Sequence, residues 1–146
     1  MELMLKSLKD TQKLARDLAV EITTKGNPSV IALYGELGSG KTTFVQFLAK
    51  ALKIKEKILS PTFVIIKNFA CGDGRCLVHI DAYRLKSAKD LLALGLQDIL
   101  RNKENIVVIE WPEKVEKYLP KDTIRVFLEV SGKNERKVII KSNIKN

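Results

Sequence analysis

Eight consecutive residues, Gly35-Glu36-Leu37-Gly38-Ser39-Gly40-Lys41-Thr42, match the pattern G-x-x-x-x-G-K-[ST] in full. Chemistry of this kind needs a concave run of backbone N–H groups. Glycines supply it, because they accept backbone angles that a side chain forbids. The cradle would run through Glu36, Leu37, Gly38, Ser39 and Gly40. A helix starting at its end adds the positive pole of its dipole. Lys41 can then reach β- and γ-phosphates, and the Thr42 hydroxyl can ligate magnesium. Thr43, at the start of the helix, stands near an α-phosphate. The expected ligand is ATP or ADP with Mg²⁺.

Turnover of a bound triphosphate also needs groups that fix the metal and position the attacking water. Acids at strand ends are the natural source, since they reach the same sheet edge as the loop. Glu110 ends the run Ile106-Val107-Val108-Ile109 and has the form of a Walker B acid. Asp81 ends Leu77-Val78-His79-Ile80; the plainer alternative for it is a turn or cap residue. Thr62, in Ser60-Pro61-Thr62-Phe63, stands where a switch segment would sense the γ-phosphate or its metal. His79 is the sole histidine, and on an apolar strand it reads first as a hydrogen-bonded core group. Trp111, the sole tryptophan, covers the nucleotide site or a partner surface, or simply packs.

These groups need elements to hold them. Residues 2–8 read as a first strand, and Ser7 followed by Asp10 is a capping signal. From Thr11 to about Thr24, Leu14, Ala15, Leu18, Ala19 and Ile22 recur at helical spacing, and Gly26-Asn27-Pro28 stops the helix. Ser29 to Tyr34 reads as a buried strand, and Thr42 to Leu52 as a helix, so strand, loop and helix follow in the required order. Further strands are expected at Thr62–Phe69 and Cys76–Asp81, joined as a hairpin, and at Asn105–Glu110. A short helix is expected at Ser87–Gly95, and late strands at Thr123–Val130 and Lys137–Ile140. The result is an α/β fold of P-loop NTPase type, three layers deep. Its central sheet is mixed and mostly parallel, with added antiparallel hairpin strands. A length of 146 residues suits one domain spanning 1–146.

Composition narrows the class. With 45% hydrophobic and 29% charged residues the chain is an ordinary globular protein, not a disordered one. A net charge of +9 is compatible with an anionic partner, yet the lysines are scattered and read first as a solvated surface. Cys71 and Cys76 flank Gly72-Asp73-Gly74-Arg75 and lack zinc-site spacing, so they read as reduced thiols. No apolar run approaches the roughly 18 residues of a membrane span. The expectation is a cytoplasmic protein with no membrane association.

The ordered set of motifs carries a resemblance. G-E-L-G-S-G-K-T-T at 35–43, S-P-T-F at 60–63, H-I-D-A-Y-R at 79–84, L-x-x-L-G-L at 91–96 and I-E-W-P at 109–112 together resemble the TsaE (YjeE) family. That resemblance implies a small bacterial ATPase, weak alone and dependent on partners. Such proteins are required for threonylcarbamoyl-adenosine modification of tRNA next to the anticodon. They do not transfer the group themselves: they bind the TsaD–TsaB heterodimer, and their ATP cycle resets it. tRNA is met indirectly or within the complex. The resemblance also implies roles for particular residues. Lys41 and Thr42 serve phosphate and metal, and Glu110 is a second magnesium ligand. Asp81 serves hydrolysis, through the water or the metal shell. Thr11 contacts the nucleotide, Thr62 is the switch threonine, and Lys133 or Arg136 brings a basic group from the late hairpin. The alternative is a P-loop small-molecule kinase, but Arg84 and Arg101 are isolated and form no arginine-rich lid. A module that binds ATP without hydrolysing it is disfavoured by the pair Asp81 and Glu110.

Overall fold

The computed structural model describes residues 1–25, 29–59 and 65–142. Its centre is a seven-stranded sheet in the order β1-β7-β6-β2-β5-β4-β3. The strands are β1 Glu2–Leu5, β2 Val30–Tyr34, β3 Ile66–Ala70, β4 Cys76–Asp81, β5 Asn105–Glu110, β6 Ile124–Gly132 and β7 Glu135–Lys141. The central four, β6, β2, β5 and β4, run parallel to one another. The pairings β1–β7, β6–β7 and β3–β4 are antiparallel. The sheet is therefore mixed, with a parallel centre and antiparallel margins.

Strand alternation divides the core into two layers, because successive side chains point to opposite faces. Ile31, Leu33, Leu77, Ile106 and Val108 meet helices α1 (Leu8–Lys25) and α2 (Lys41–Ala51) on one face. Val30, Ala32, Val78, Ile80, Val107 and Ile109 face the other way. There they meet α3 (Ala88–Ala93), α4 (Leu96–Arg101) and a short 3-10 helix, Pro112–Tyr118. The apolar stripe read in α1 is the buried one: Leu14, Ala15, Leu18, Ala19 and Ile22 are all in the core. Its start is capped as Ser7 and Asp10 suggest. Asp10 N–H donates to Ser7 Oγ at 3.3 Å, and Lys6 N–H donates to Asp10 Oδ2 at 2.8 Å. The helix begins at Leu8, so the first strand is shorter than 2–8.

Some boundaries differ from the sequence reading. The segment after Ser87 holds two short helices, with Gly95 (φ 90°) as the hinge between them. The 3-10 helix has no counterpart in that reading; Pro112 at its start and a left-handed Trp111 begin it. The last hairpin is longer than expected and closes on Lys133-Asn134, where Asn134 takes φ 64°. Ser60-Pro61-Thr62-Phe63, including the switch threonine, and Gly26-Asn27-Pro28 lie outside the described residues. Cys71 and Cys76 are free thiols, and burial pushes the Cys71 thiol up to about 11.

Candidate functional site

The loop 35–40 leaves the C-terminal end of β2 and leads directly into α2. Gly38 and Gly40 take φ 80° and 102°. Gly35 is needed for space: a Cβ there would lie 2.4 Å from Ser39 Oγ and 2.6 Å from the Leu128 carbonyl. The parallel register then brings the acids to the same edge. Glu110 lies beside Leu33 on one side and Asp81 on the other.

Side chains converge where the three strand ends meet. One cavity of about 430 Å³ is lined by Gly38 to Thr43, Asp81, Tyr83, Arg84, Glu110, Trp111 and Arg136, with Leu37 at its rim. The Thr42 hydroxyl donates to Glu110 Oε1 at 3.2 Å. The other carboxylate oxygen, Oε2, lies 2.6 Å from His79 Nε2. Glu110 and His79 are both buried, so the histidine fixes the rotamer of the acid. His79 is thus a hydrogen-bonded core group, as its strand suggests, and its partner belongs to the site.

Lys41 is only 5% exposed. Its ammonium donates to the Gly35 carbonyl and, at 3.4 Å, to that of Glu36. It also stands 3.6 Å from the Trp111 ring centroid. Burial lowers the Lys41 pKa, against the pull of Glu110, Glu113, Asp81 and Glu36. Burial likewise raises the Asp81 carboxyl, helped by Glu110 and opposed by the Tyr83 N–H, which donates to Oδ1 at 2.9 Å. Trp111 adopts φ 58°, uncommon for a bulky residue, and its ring meets Tyr83 at 5.0 Å. Trp111 lines the phosphate cavity and is partly buried against the second core layer.

A second cavity, of about 570 Å³, opens on the other side of the loop and shares Ser39, Gly40, Thr43 and Arg136 with the first. It is walled by the entry to α1, from Leu5 to Lys9 with Thr11, and by Leu128 and Asn134. Thr11 is therefore at the site, its hydroxyl donating to the Ser7 carbonyl at 3.5 Å. Of the two basic candidates in the hairpin, Arg136 is the one at the loop. Its guanidinium donates to the Ser39 carbonyl at 3.1 Å and the Gly38 carbonyl at 3.3 Å. Lys133 sits exposed on the turn and lines neither cavity. Sequence reasoning missed Lys6, Lys9 and Asn134 as cavity walls and read Ser7 only as a helix cap; the β1–β7 and β6–β7 pairings bring these segments to the loop.

The residues fit a phosphate with a hard cation. The loop contains a buried hydroxyl, Ser39 Oγ, without a hydrogen-bond partner. The oxygen donors Thr42 and Glu110 stand together. Among the described residues no group of three His, Cys, Asp or Glu could hold a metal by itself. Magnesium is commonly held by one or two protein oxygens plus phosphate and water, which suits such a donor set.

The family model for the threonylcarbamoyl adenosine biosynthesis protein TsaE matches residues 5–138. The chain belongs to the TsaE family. A relative from Aquifex aeolicus, named tRNA threonylcarbamoyladenosine biosynthesis protein TsaE, is 40% identical over 95% of this chain and 94% of its own length. A TsaE of the same name from Treponema pallidum is 40% identical over 77% of this chain and 81% of its own length. The crystal structure of YdiB from Bacillus subtilis superposes with a TM-score of 0.72 at 26% identity, covering 97% of this chain and 84% of that one. The sheet and its flanking helices are thus a TsaE-family architecture.

Proposed function

We propose that this chain binds and hydrolyses ATP with Mg²⁺ as a subunit of tRNA threonylcarbamoyl-adenosine biosynthesis. The relatives' names supply the pathway. The observation that carries the chemistry is the meeting of Lys41, Thr42, Asp81 and Glu110 in one cavity at the glycine loop. In this reading the loop amides and Lys41 hold the β- and γ-phosphates. Thr42 and Glu110 hold magnesium, which offsets negative charge on the phosphate oxygens. Arg136 braces the loop through two of its carbonyls. Thr11 and the neighbouring wall of α1 take the nucleoside end, and Thr43 stands near the α-phosphate. Thr62 senses the γ-phosphate. Asp81 orients the attacking water or the metal's water shell. Its raised carboxyl is closer to the range in which a base works near neutrality than an exposed aspartate would be.

The partners in this reading are TsaD- and TsaB-type proteins in the cytoplasm, with tRNA met through that complex. No helix among the described residues is long and apolar enough to cross a membrane. Calorimetric titration with ATP and Mg²⁺ should show saturable binding, and hydrolysis should be slow until the TsaD–TsaB pair is added. Absence of binding sinks the nucleotide role. Unchanged threonylcarbamoyl-adenosine levels in tRNA after deletion of the gene sink the pathway role.

A further inference from the structure

The 3-10 helix after Glu110 carries a lysine whose ammonium is turned onto backbone. Lys114 Nζ donates to the carbonyls of Ala82 at 3.3 Å and Tyr83 at 3.0 Å, and also to that of Leu85. An ammonium has three donors, and three carbonyls of one turn take them. The turn itself is closed by Leu85 N–H on the Ala82 carbonyl at 3.1 Å. It is tied to β5 by Ala82 N–H on the Glu110 carbonyl at 3.0 Å. Within that turn, Tyr83 N–H is the group that donates to Asp81 Oδ1 at 2.9 Å. Lys114 therefore grips the carbonyl side of the peptide segment whose amide side holds the acid.

We infer that Lys114 is a positioning residue, which holds the 82–85 turn so that the Tyr83 amide fixes the Asp81 carboxylate at the phosphate cavity. Lys114 lines neither cavity, and its three hydrogen bonds all go to this turn. The consequence for hydrolysis rests on the proposed role of Asp81; the positioning itself does not.

Two readouts separate them. In Lys114→Met the Tyr83 amide should exchange with solvent about tenfold faster or more, the expected loss when a charge-assisted hydrogen bond is removed. Amides of the phosphate loop should keep their wild-type rates. ATP hydrolysis should fall about tenfold in kcat, with KM for ATP within about twofold of wild type. Lys114→Arg, which keeps charge and donors, should recover most of both. Lys114→Gln serves if the methionine variant does not fold. A Tyr83 amide as protected in Lys114→Met or Lys114→Gln as in wild type overturns the inference, whatever the hydrolysis rate. A deprotected amide with unchanged kcat upholds the positioning and instead overturns the role assigned to Asp81. A general loss of protection, spread evenly over the sheet, also overturns it, since that is the behaviour of a residue serving only stability.

Discussion

Lys41 and Asp81 are each held in an environment that disfavours their charge. Burial lowers the pKa of the first and raises that of the second. Sites that bind or act on a ligand commonly accept such a cost in stability. Lys41→Ala should weaken ATP binding at least tenfold, since a charge-assisted contact is worth about 1.5–3 kcal/mol. Calorimetry decides this, and wild-type affinity would remove Lys41 from the binding role. On the proposed role, Asp81→Asn should keep ATP affinity within about twofold while slowing hydrolysis on the order of 100-fold, whether the acid serves the attacking water or the metal's water shell. It should also change stability in a pH-dependent way. A carboxyl with a raised native pKa costs nothing below its ordinary value of 3.8, and the cost grows as pH rises through the native value. Asp81→Asn should therefore melt higher than wild type at about pH 7, with the gain shrinking toward about pH 4. A gain that grows on acidification would mean that the folded protein lowers the Asp81 pKa, the opposite of what burial does.

At the scale of elements, the phosphate loop and α2 form one unit. Gly35 has no room for a side chain between Ser39 and the Leu128 carbonyl. Gly35→Ala should cost about 1–3 kcal/mol through steric overlap and lose nucleotide binding with it. Phe44, in the first turn of α2, anchors the unit and is fully buried in the core against the sheet. Phe44→Ala should lower the unfolding free energy by about 3–5 kcal/mol, read from urea titration. The spacing of Leu14, Ala15, Leu18, Ala19 and Ile22 made α1 readable from sequence, because one helical face must be apolar to reach the core. The 3-10 helix was not readable: its residues have no apolar period, and it forms because Val115 finds cover on the second face of the sheet. The split after Ser87 escapes the sequence for a related reason. A glycine inside an apolar stretch reads as an end, whereas Gly95 redirects the chain into a second helix.

For the whole molecule, a net charge of +9 bears on association more than on fold. On the proposed partnership with TsaD- and TsaB-type proteins, affinity for that pair should fall as salt rises, because exposed charges are screened within about 8 Å at physiological ionic strength. Affinity measured at low and high salt checks this, and a flat response would assign the charge to solvation alone.

The amino-acid order by itself determined the glycine loop, since its conformation depends on neighbours in the chain and on a few residue types. It also determined the strands that end in Asp81 and Glu110, because buried strands must be continuous in apolar side chains. The tertiary structure alone decided which distant groups share the site. His79 meets Glu110 because β4 and β5 pair in parallel, with Asp81 beside Glu110, so alternate residues of each strand share a face. Arg136, not Lys133, reaches the loop because β7 pairs between β6 and β1 and carries residue 136 back to Gly38 and Ser39. Strand order and register are properties of the folded sheet, fixed by burial across many segments at once, and no local spacing encodes them.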